Sequence, residues 1–459
     1  MVYTDRGVEN LKIAYIGGGS RGWAWKLMSD LAACEDISGS VALYDIDYEA
    51  ARNNEIIGNK FNHINGARSK WTYHAYADIK EALLGADFVV ISILPATFDE
   101  MESDVHTPEK YGIFQPVGDT TGPGGIIRAL RTIPMMEVIA EAIRDYCPSA
   151  WVINYTNPMA LCVKALYDTF PNIKAFGCCH EVFSTQELIT KAIKEATGEE
   201  IADRREIKIN VVGVNHFTWI TDAKYHNYDV SKIYADFADK YYDSGLPKND
   251  PSSYFECAHR VKLDLYRRYG VIAAAGDRHL AEFCDRDWYL KNDTQIAEWG
   301  FTRTPVSYRK ENLKDRLARS RRLCSGEEDV IIENTGEDGV MQIRALLGLG
   351  DFTTNVNLPN RGQIPNLPLG AVVETNAVFR DDSVAPVMAG TVPDGVLQLV
   401  MRSAESQLIV SRAARERNLE LAFPAFASDP LVNLDISAAR ELFDEMIDNT
   451  KEYLKEYFN

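Results

Sequence analysis

Apolar residues in the first half of the chain come in short continuous runs, separated by stretches of helical spacing. Residues 11–16 (LKIAYI) are apolar and stop at glycines, which predicts a strand buried on both faces of a parallel sheet. Trp23–Ala33 then places apolar residues at helical intervals. Val41–Ile46, Phe88–Leu94 (FVVISIL), Trp151–Tyr155 and Ala175–Cys178 read as further strands. This alternation over the first 200 residues predicts an α/β, doubly wound parallel sheet. Beyond Glu199 the texture changes. Ile207–Val214 (IKINVVGV) reads as one more strand, long helical stretches follow between about 230 and 325, and Phe352–Phe379 is β-rich. Two helices are predicted to close the chain, Asp394–Arg417 and Ala438–Tyr457. The second carries an apolar stripe of Leu442, Phe443, Met446, Tyr453 and Leu454, expected to be core or subunit interface. No repeat or linker-like stretch interrupts the chain, so two closely packed domains are expected, residues 1–199 and 200–459.

Composition narrows the function classes. The 459 residues carry a formal net charge of −18, and the basic residues are scattered, which argues against a nucleic-acid partner. The densest basic cluster, Arg316–Arg322, adjoins Glu327, Glu328 and Asp329 and reads as a solvated helix face. Eight cysteines in a chain this long do not make a disulfide scaffold and read as reduced thiols. The first ten residues lack the apolar segment of a signal peptide, and no apolar run has the length of a membrane span. A soluble, cytoplasmic protein is expected.

Chemistry enters at the first strand end. Gly17, Gly19 and Gly22 spell G-x-G-x-x-G between a predicted strand and a predicted helix, and Asp45 ends the next strand. In that context the pattern has a mechanism: backbone N–H groups of the loop, Ser20 and Arg21 included, approach a pyrophosphate at a helix N-terminus. Gly17 allows the tight turn, Gly19 the close approach, and Gly22 close packing of helix on strand. Asp45 would accept bonds from the adenosine ribose hydroxyls and repel a 2′-phosphate, which favours NAD. Residues 1–199 are therefore expected to bind NAD.

Other polar groups follow later strand ends: Asn154–Pro158, then Cys179, His180 and Glu181, then Asn215 and His216. A thiolate and an imidazole at successive strand ends make a candidate metal pair, Cys179 with His216, suited to Zn or to Mn, Fe, Co or Ni. Taken singly, each residue is explained as well by ordinary burial and hydrogen bonding.

The ordered series KIAYIGGGS, GDTTGPGGIIRALRTIP (118–134), NYTNPM (154–159), CCHEV (178–182), VGVNHFTW (212–219) and NRGQIPNLPLGAVVE (360–374) resembles glycoside hydrolase family 4 over nearly the whole chain. These are NAD- and metal-dependent glycosidases, an exception to hydrolysis by paired carboxylates. The resemblance implies a Rossmann domain followed by an α+β domain for substrate, metal and oligomerisation, as in the lactate and malate dehydrogenase-like superfamily. It also implies a redox route: the sugar C3 hydroxyl is oxidised by NAD, the C2 proton is removed with help from a divalent metal, the group at C1 is eliminated, water adds and C3 is re-reduced. By motif, Cys179 and His216 become metal ligands, with Mn²⁺ the expected ion, and Asn157 a sugar contact. His180 would sit near the reacting oxygens, and Asp277, in AAAGDRHLAEF (273–283), becomes the expected base. A carboxylate after Gly276 reads equally as a turn or helix cap. Arg278, His279 and Glu181 are expected near substrate. The resemblance further implies a homo-oligomer, dimer or tetramer.

The substrate reading rests on two features. Family members acting on 6-phosphosugars carry Asp or Asn beside the metal cysteine and an Arg-bearing loop after the third strand. This chain has His180, and residues 93–105 contain no Lys or Arg. The run CHEV (179–182) resembles the branch acting on α-galacturonides, small-molecule substrates derived from pectin. A uronate needs a cation, and Arg128, Arg131 and Arg278 are candidates, although Arg128 and Arg131 fit a solvated helix face as well. Other unphosphorylated glycosides (α-glucuronide, α-galactoside or α-glucoside) stay open, as do a 2-hydroxy acid-type dehydrogenase and a non-catalytic NAD sensor.

Overall fold

The computed structural model describes residues 1–458. Thirteen strands form two sheets: β1 (Val2–Thr4), β2 (Gly7–Ile16), β3 (Ile37–Tyr44), β4 (Trp71–Tyr76), β5 (Phe88–Ile91), β6 (Trp151–Asn154), β7 (Lys174–Gly177), β8 (Lys208–Val214), β9 (Phe217–Lys224), β10 (Ile272–Ala273), β11 (Phe352–Pro359), β12 (Val372–Arg380) and β13 (Ser383–Pro386). Six of them pair in parallel in the order β4-β3-β2-β5-β6-β7, the Rossmann order. The expected doubly wound sheet is present.

The apolar runs are continuous because both faces of this sheet are covered. Ala14, Val89, Val152 and Ala175 face a cluster built on helix Gly122–Tyr146. Their neighbours Ile13, Tyr15, Val90, Ile153 and Phe176 face the opposite cluster, with Met28 and Leu31 from helix Trp23–Ala33. The edge strand β4 was not expected from the sequence, although Trp71, Tyr73 and Ala75 alternate with exposed Thr72 and His74 as a half-buried strand should.

The sheet does not stop at β7. β11 returns beside it in antiparallel sense and is followed by β12 and β13, so the β-rich patch joins the first sheet and covers its edge. β8 and β9 form a separate antiparallel sheet with β10. The stretch between 230 and 325 is broken into several helices, of which only Val306–Ser325 is long. The last helix is shorter than expected, Ile436–Asn449. In its stripe Leu442, Phe443, Met446 and Leu454 are core and Tyr453 is exposed. Among the described residues no helix is long and apolar enough to cross a membrane.

Candidate active site

The carboxyl ends of β6 and β7, with Trp23 at the start of the first helix, open onto one cleft of about 860 Å³, walled on the far side by the second half of the chain. At the end of β2 the glycine loop has no room for side chains. Gly17 has φ +91°, and a Cβ there would lie 2.1 Å from the Ser92 carbonyl oxygen. At Gly19 it would lie 2.5 Å from Ala50 Cβ and 2.9 Å from the Asp45 carboxylate. Asn54 holds the turn, donating to the carbonyls of Gly18 (2.7 Å) and Ser20 (2.9 Å). Helix Trp23–Ala33 then starts with no side-chain cap and no acidic residue in its first turn, leaving its N–H groups and partial positive charge directed at the loop.

Two details differ from the expected roles. A Cβ at Gly22 would meet only the Arg316 guanidinium, so this glycine is not required for helix–strand packing; Gly18, against Leu43, is the position that packs on a strand. Asp45 accepts from the N–H groups of Gly19 (2.9 Å) and Asp47 (2.9 Å). It therefore braces the loop, and a carboxylate retains lone pairs for two ribose hydroxyls. Arg21 lies 3.6 Å from Asp47 at the rim. A Gly17→Ala variant is expected to lose at least about tenfold in NAD affinity and about 1–3 kcal/mol of stability, because alanine is strained at this φ and collides with the Ser92 carbonyl just past β5. NAD titration and thermal melting check this; wild-type values in both would refute the steric account.

β8 and β9 are joined by only two residues, Asn215 and His216, with His216 at φ +64°. This tight hairpin turn thrusts the imidazole into the cleft. A two-residue connection between apolar runs was legible as a hairpin, and β9 was missed for want of reading it so. The His216 ring lies 3.9 Å from that of His279, centroid to centroid. Its Nδ1 is 2.9 Å from Thr120 Oγ1. Ligand atoms of Asp119, His216 and His279 all lie within 4.8 Å of one another. Burial, with His279 alongside, pushes His216 down to about 3, so it stands as the neutral ring that metals require. Burial would raise the Asp119 carboxyl, but His216, His279, Arg128 and Arg309 facing it hold it well below the usual carboxylate range.

Cys179 follows β7 and lines the same cleft, outside that three-residue set. Its backbone oxygen accepts from Asn355 (3.3 Å), and Asn355 and Asn215 both donate to buried Glu374. One carboxylate thus ties the cysteine segment to the hairpin turn. Burial, reinforced by Glu374 and Glu181, raises the Cys179 thiol well above its ordinary value, so it would ionise only when a cation takes the proton's place.

Glu181, the first residue of helix Glu181–Thr197, accepts from the Gly276 N–H (2.8 Å) and lies 3.7 Å from His279. Burial opposes its ionisation, yet His279, His216 and His180 hold it down at about 2. Asn157 donates to Asp119 (3.3 Å), and its own oxygen is buried without a partner. His180 is half-exposed beside Trp23 and Glu337, on the nucleotide side of the cleft.

Asp277 is fully buried and lines the cleft. Its carboxylate accepts from the N–H groups of Lys262 (3.1 Å) and Val261 (3.3 Å), the first turn of helix Arg260–Tyr269. It does cap a helix, though not its own. Burial raises it to about 6 despite Lys262 nearby, within the range of a general base.

The arginines sort clearly. Neither Arg128 nor Arg131 lies on a solvated face; both are buried. Arg131 is spent on Asp104, which it grips through both terminal nitrogens. Arg128 donates to the Asn157 carbonyl (3.2 Å) and keeps one terminal nitrogen unpartnered beside Asp119. Arg278 lines the cleft and leans on Phe255 and Thr304. Arg309, not singled out from the sequence, lines the cleft with its Nε buried and unpartnered. Arg316 also lines it, so the basic cluster is not solely a solvated face. Asp119 was missed too, although it lies in GDTTGPGG, whose glycines deny side chains to the turn where Gly124 and Gly125 press on Gly118 and Thr120.

Comparison with known proteins identifies the family. The model of the family 4 glycosyl hydrolases matches residues 12–195, and that of the family 4 C-terminal domain matches residues 211–432. An α-galacturonidase of Thermoanaerobacterium saccharolyticum is 58% identical over 458 residues, covering 99% of this chain and 98% of its own. That of Bacillus subtilis is 50% identical, covering 96% and 97%. The crystal structure of lplD from Bacillus subtilis, there described as a glucosidase, superposes with a TM-score of 0.92 at 50% identity, over 96% of this chain and 100% of that one. A Thermotoga maritima 6-phospho-β-glucosidase solved with manganese, NAD⁺ and glucose-6-phosphate shares the fold, with a TM-score of 0.75 at 22% identity over 96% of this chain and 99% of that one. The chain belongs to glycosyl hydrolase family 4.

Proposed function

We propose that the protein is an α-galacturonidase that hydrolyses unphosphorylated, pectin-derived α-galacturonides with NAD and a divalent metal, Mn²⁺ being the expected ion. The observation that carries this reading is the near-full-length similarity, at 50–58% identity, to proteins named α-galacturonidases. The cleft supports it. Arg278 and Arg309 supply guanidinium groups for a C6 carboxylate, and residues 93–105 supply no cation for a 6-phosphate.

The residues fit both groups: a glycine cradle that any Cβ would fill for the dinucleotide, and thiol, imidazole and carboxylate donors for the cation. When bound, NAD accepts and returns a hydride while the cation acts as a Lewis acid on the sugar oxygens. Cys179 and His216 would hold the cation, with Asp119 and His279 beside His216. Asp277 takes the proton from the sugar C2, its burial keeping the basicity high enough for the task. Asn157 and Glu181 orient hydroxyls, and His180 stands on the nucleotide side, beside Trp23. Residues 1–199 carry the nucleotide, and residues 200–459 supply the hairpin and the substrate wall. The working form is a homo-oligomer.

The test is hydrolysis of p-nitrophenyl α-D-galacturonide with NAD, Mn²⁺ and a thiol omitted in turn. Release requiring all three, with no net NADH, is expected. Faster cleavage of the α-galactoside would move the substrate class to that of the 28%-identical Bacillus subtilis α-galactosidase. Stoichiometric NADH without glycoside cleavage would overturn the reading.

A further inference from the structure

A second group of metal-type donors stands on the cleft wall. Cys257, His259 and Asp277 offer a sulfur, an imidazole nitrogen and a carboxylate oxygen, all within 4.8 Å of one another. All three line the cleft, so an ion has a route to them. Cys257 Sγ and His259 Nδ1 are 3.9 Å apart, and Asp277 accepts from the backbone N–H groups of Val261 and Lys262. The donors therefore come from one turn and one braced carboxylate. His259 stands at φ +59° immediately before helix Arg260–Tyr269, which aims its ring back towards Cys257.

We propose that Cys257, His259 and Asp277 form a second metal site, distinct from the one at His216, that takes a thiophilic divalent cation such as Zn²⁺ and thereby inhibits the enzyme. Mixed sulfur, nitrogen and oxygen donation suits Zn²⁺, whereas Mg²⁺ and Ca²⁺ prefer oxygen alone. Three protein ligands leave the fourth tetrahedral position open to the cleft, where water would complete the shell. Charge supports the choice. Binding displaces the Cys257 proton to solvent, and the resulting thiolate and the Asp277 carboxylate together balance a divalent ion. Two ammonium groups lie nearby: Lys262, which donates to Thr185 Oγ1 at 2.7 Å, and Lys191, which lines the cleft beside His259. Burial keeps His259 neutral at about 3, the form that ligates. Inhibition rests on the proposed role of Asp277 as base, because a carboxylate bound to a cation no longer accepts the C2 proton.

Co²⁺ serves as the probe, since each thiolate-ligated Co²⁺ gives a sulfur-to-metal charge-transfer band. The full-length apoprotein is titrated with Co²⁺ beside its Cys257→Ala, His259→Gln and Cys179→Ala variants, each checked for a wild-type melting transition. Two thiolate-ligated ions per chain are expected in the wild type and one in Cys257→Ala, with weakened binding of one in His259→Gln. Unchanged binding in both Cys257→Ala and His259→Gln would overturn the second site. Unchanged binding in Cys179→Ala would instead overturn the first, so the two failures are separable. With NAD and Mn²⁺ present, Zn²⁺ is expected to inhibit hydrolysis at least tenfold less potently in Cys257→Ala than in the wild type. Equal potency in the two would refute the inhibitory role.

Discussion

His216→Ala and Cys179→Ser are each expected to lower kcat by about 10³-fold or more while leaving NAD affinity within about threefold of wild type. A Lewis-acid cation contributes several kcal/mol to a transition state that gathers negative charge, and about 1.4 kcal/mol corresponds to a factor of ten. The glycine loop and Asp45 contact neither residue, so nucleotide binding reports on the fold independently of the metal. His216 occupies a left-handed position in a two-residue turn, where alanine costs some stability; a melting curve separates that loss from the loss of metal. Mn²⁺ binding measured by electron paramagnetic resonance should weaken in both variants, and excess Mn²⁺ should restore part of the activity of His216→Ala. Wild-type turnover in either variant would sink the assignment of that residue as a ligand. The buried Glu374 predicts a smaller companion effect, because it acts through Asn215 and Asn355 on the segments that carry His216 and Cys179.

Asp277→Asn is expected to lower kcat by about 10²–10⁴-fold, the range for removing a positioned general base. The amide is nearly isosteric, and its one oxygen keeps one of the two N–H bonds from the helix Arg260–Tyr269, so some stability is lost while KM should change little. The discriminating measurement is exchange of the sugar C2 hydrogen with deuterium from solvent. In the wild type product carries deuterium at C2. In Asp277→Asn incorporation should fall in step with turnover while hydride exchange between NAD and C3 continues. A variant that keeps C2 exchange and loses only stability would reduce Asp277 to a helix cap, the other role its hydrogen bonds support.

Both expectations join residues that lie far apart in the chain, and this marks what was readable early and what was not. The strand runs, the glycine turn and Asp45 are local or near-local features. Continuous apolarity follows from burial on both faces, and Gly17 follows from a backbone angle that other residues resist. The hairpin that presents His216 was also legible in principle, as two apolar runs with two residues between them. Strand ends were placed within a few residues, because a run's apolarity persists past the last paired position, as at Ser92–Leu94 after β5.

By itself the sequence determined the nucleotide fold, the side of the sheet on which ligands lie, and, through its ordered motifs, the family. These depend on period, backbone freedom and residue type, which act over a few positions at a time. Only the tertiary structure decided which charges meet. It spent Arg131 on Asp104, left Arg309 unpartnered in the cleft, gathered Asp119 and His279 about His216, and returned β11 to the edge of a sheet begun hundreds of residues earlier. The physical reason is that a buried charge takes its state from whatever is packed against it, and in this chain those partners arrive from distant segments.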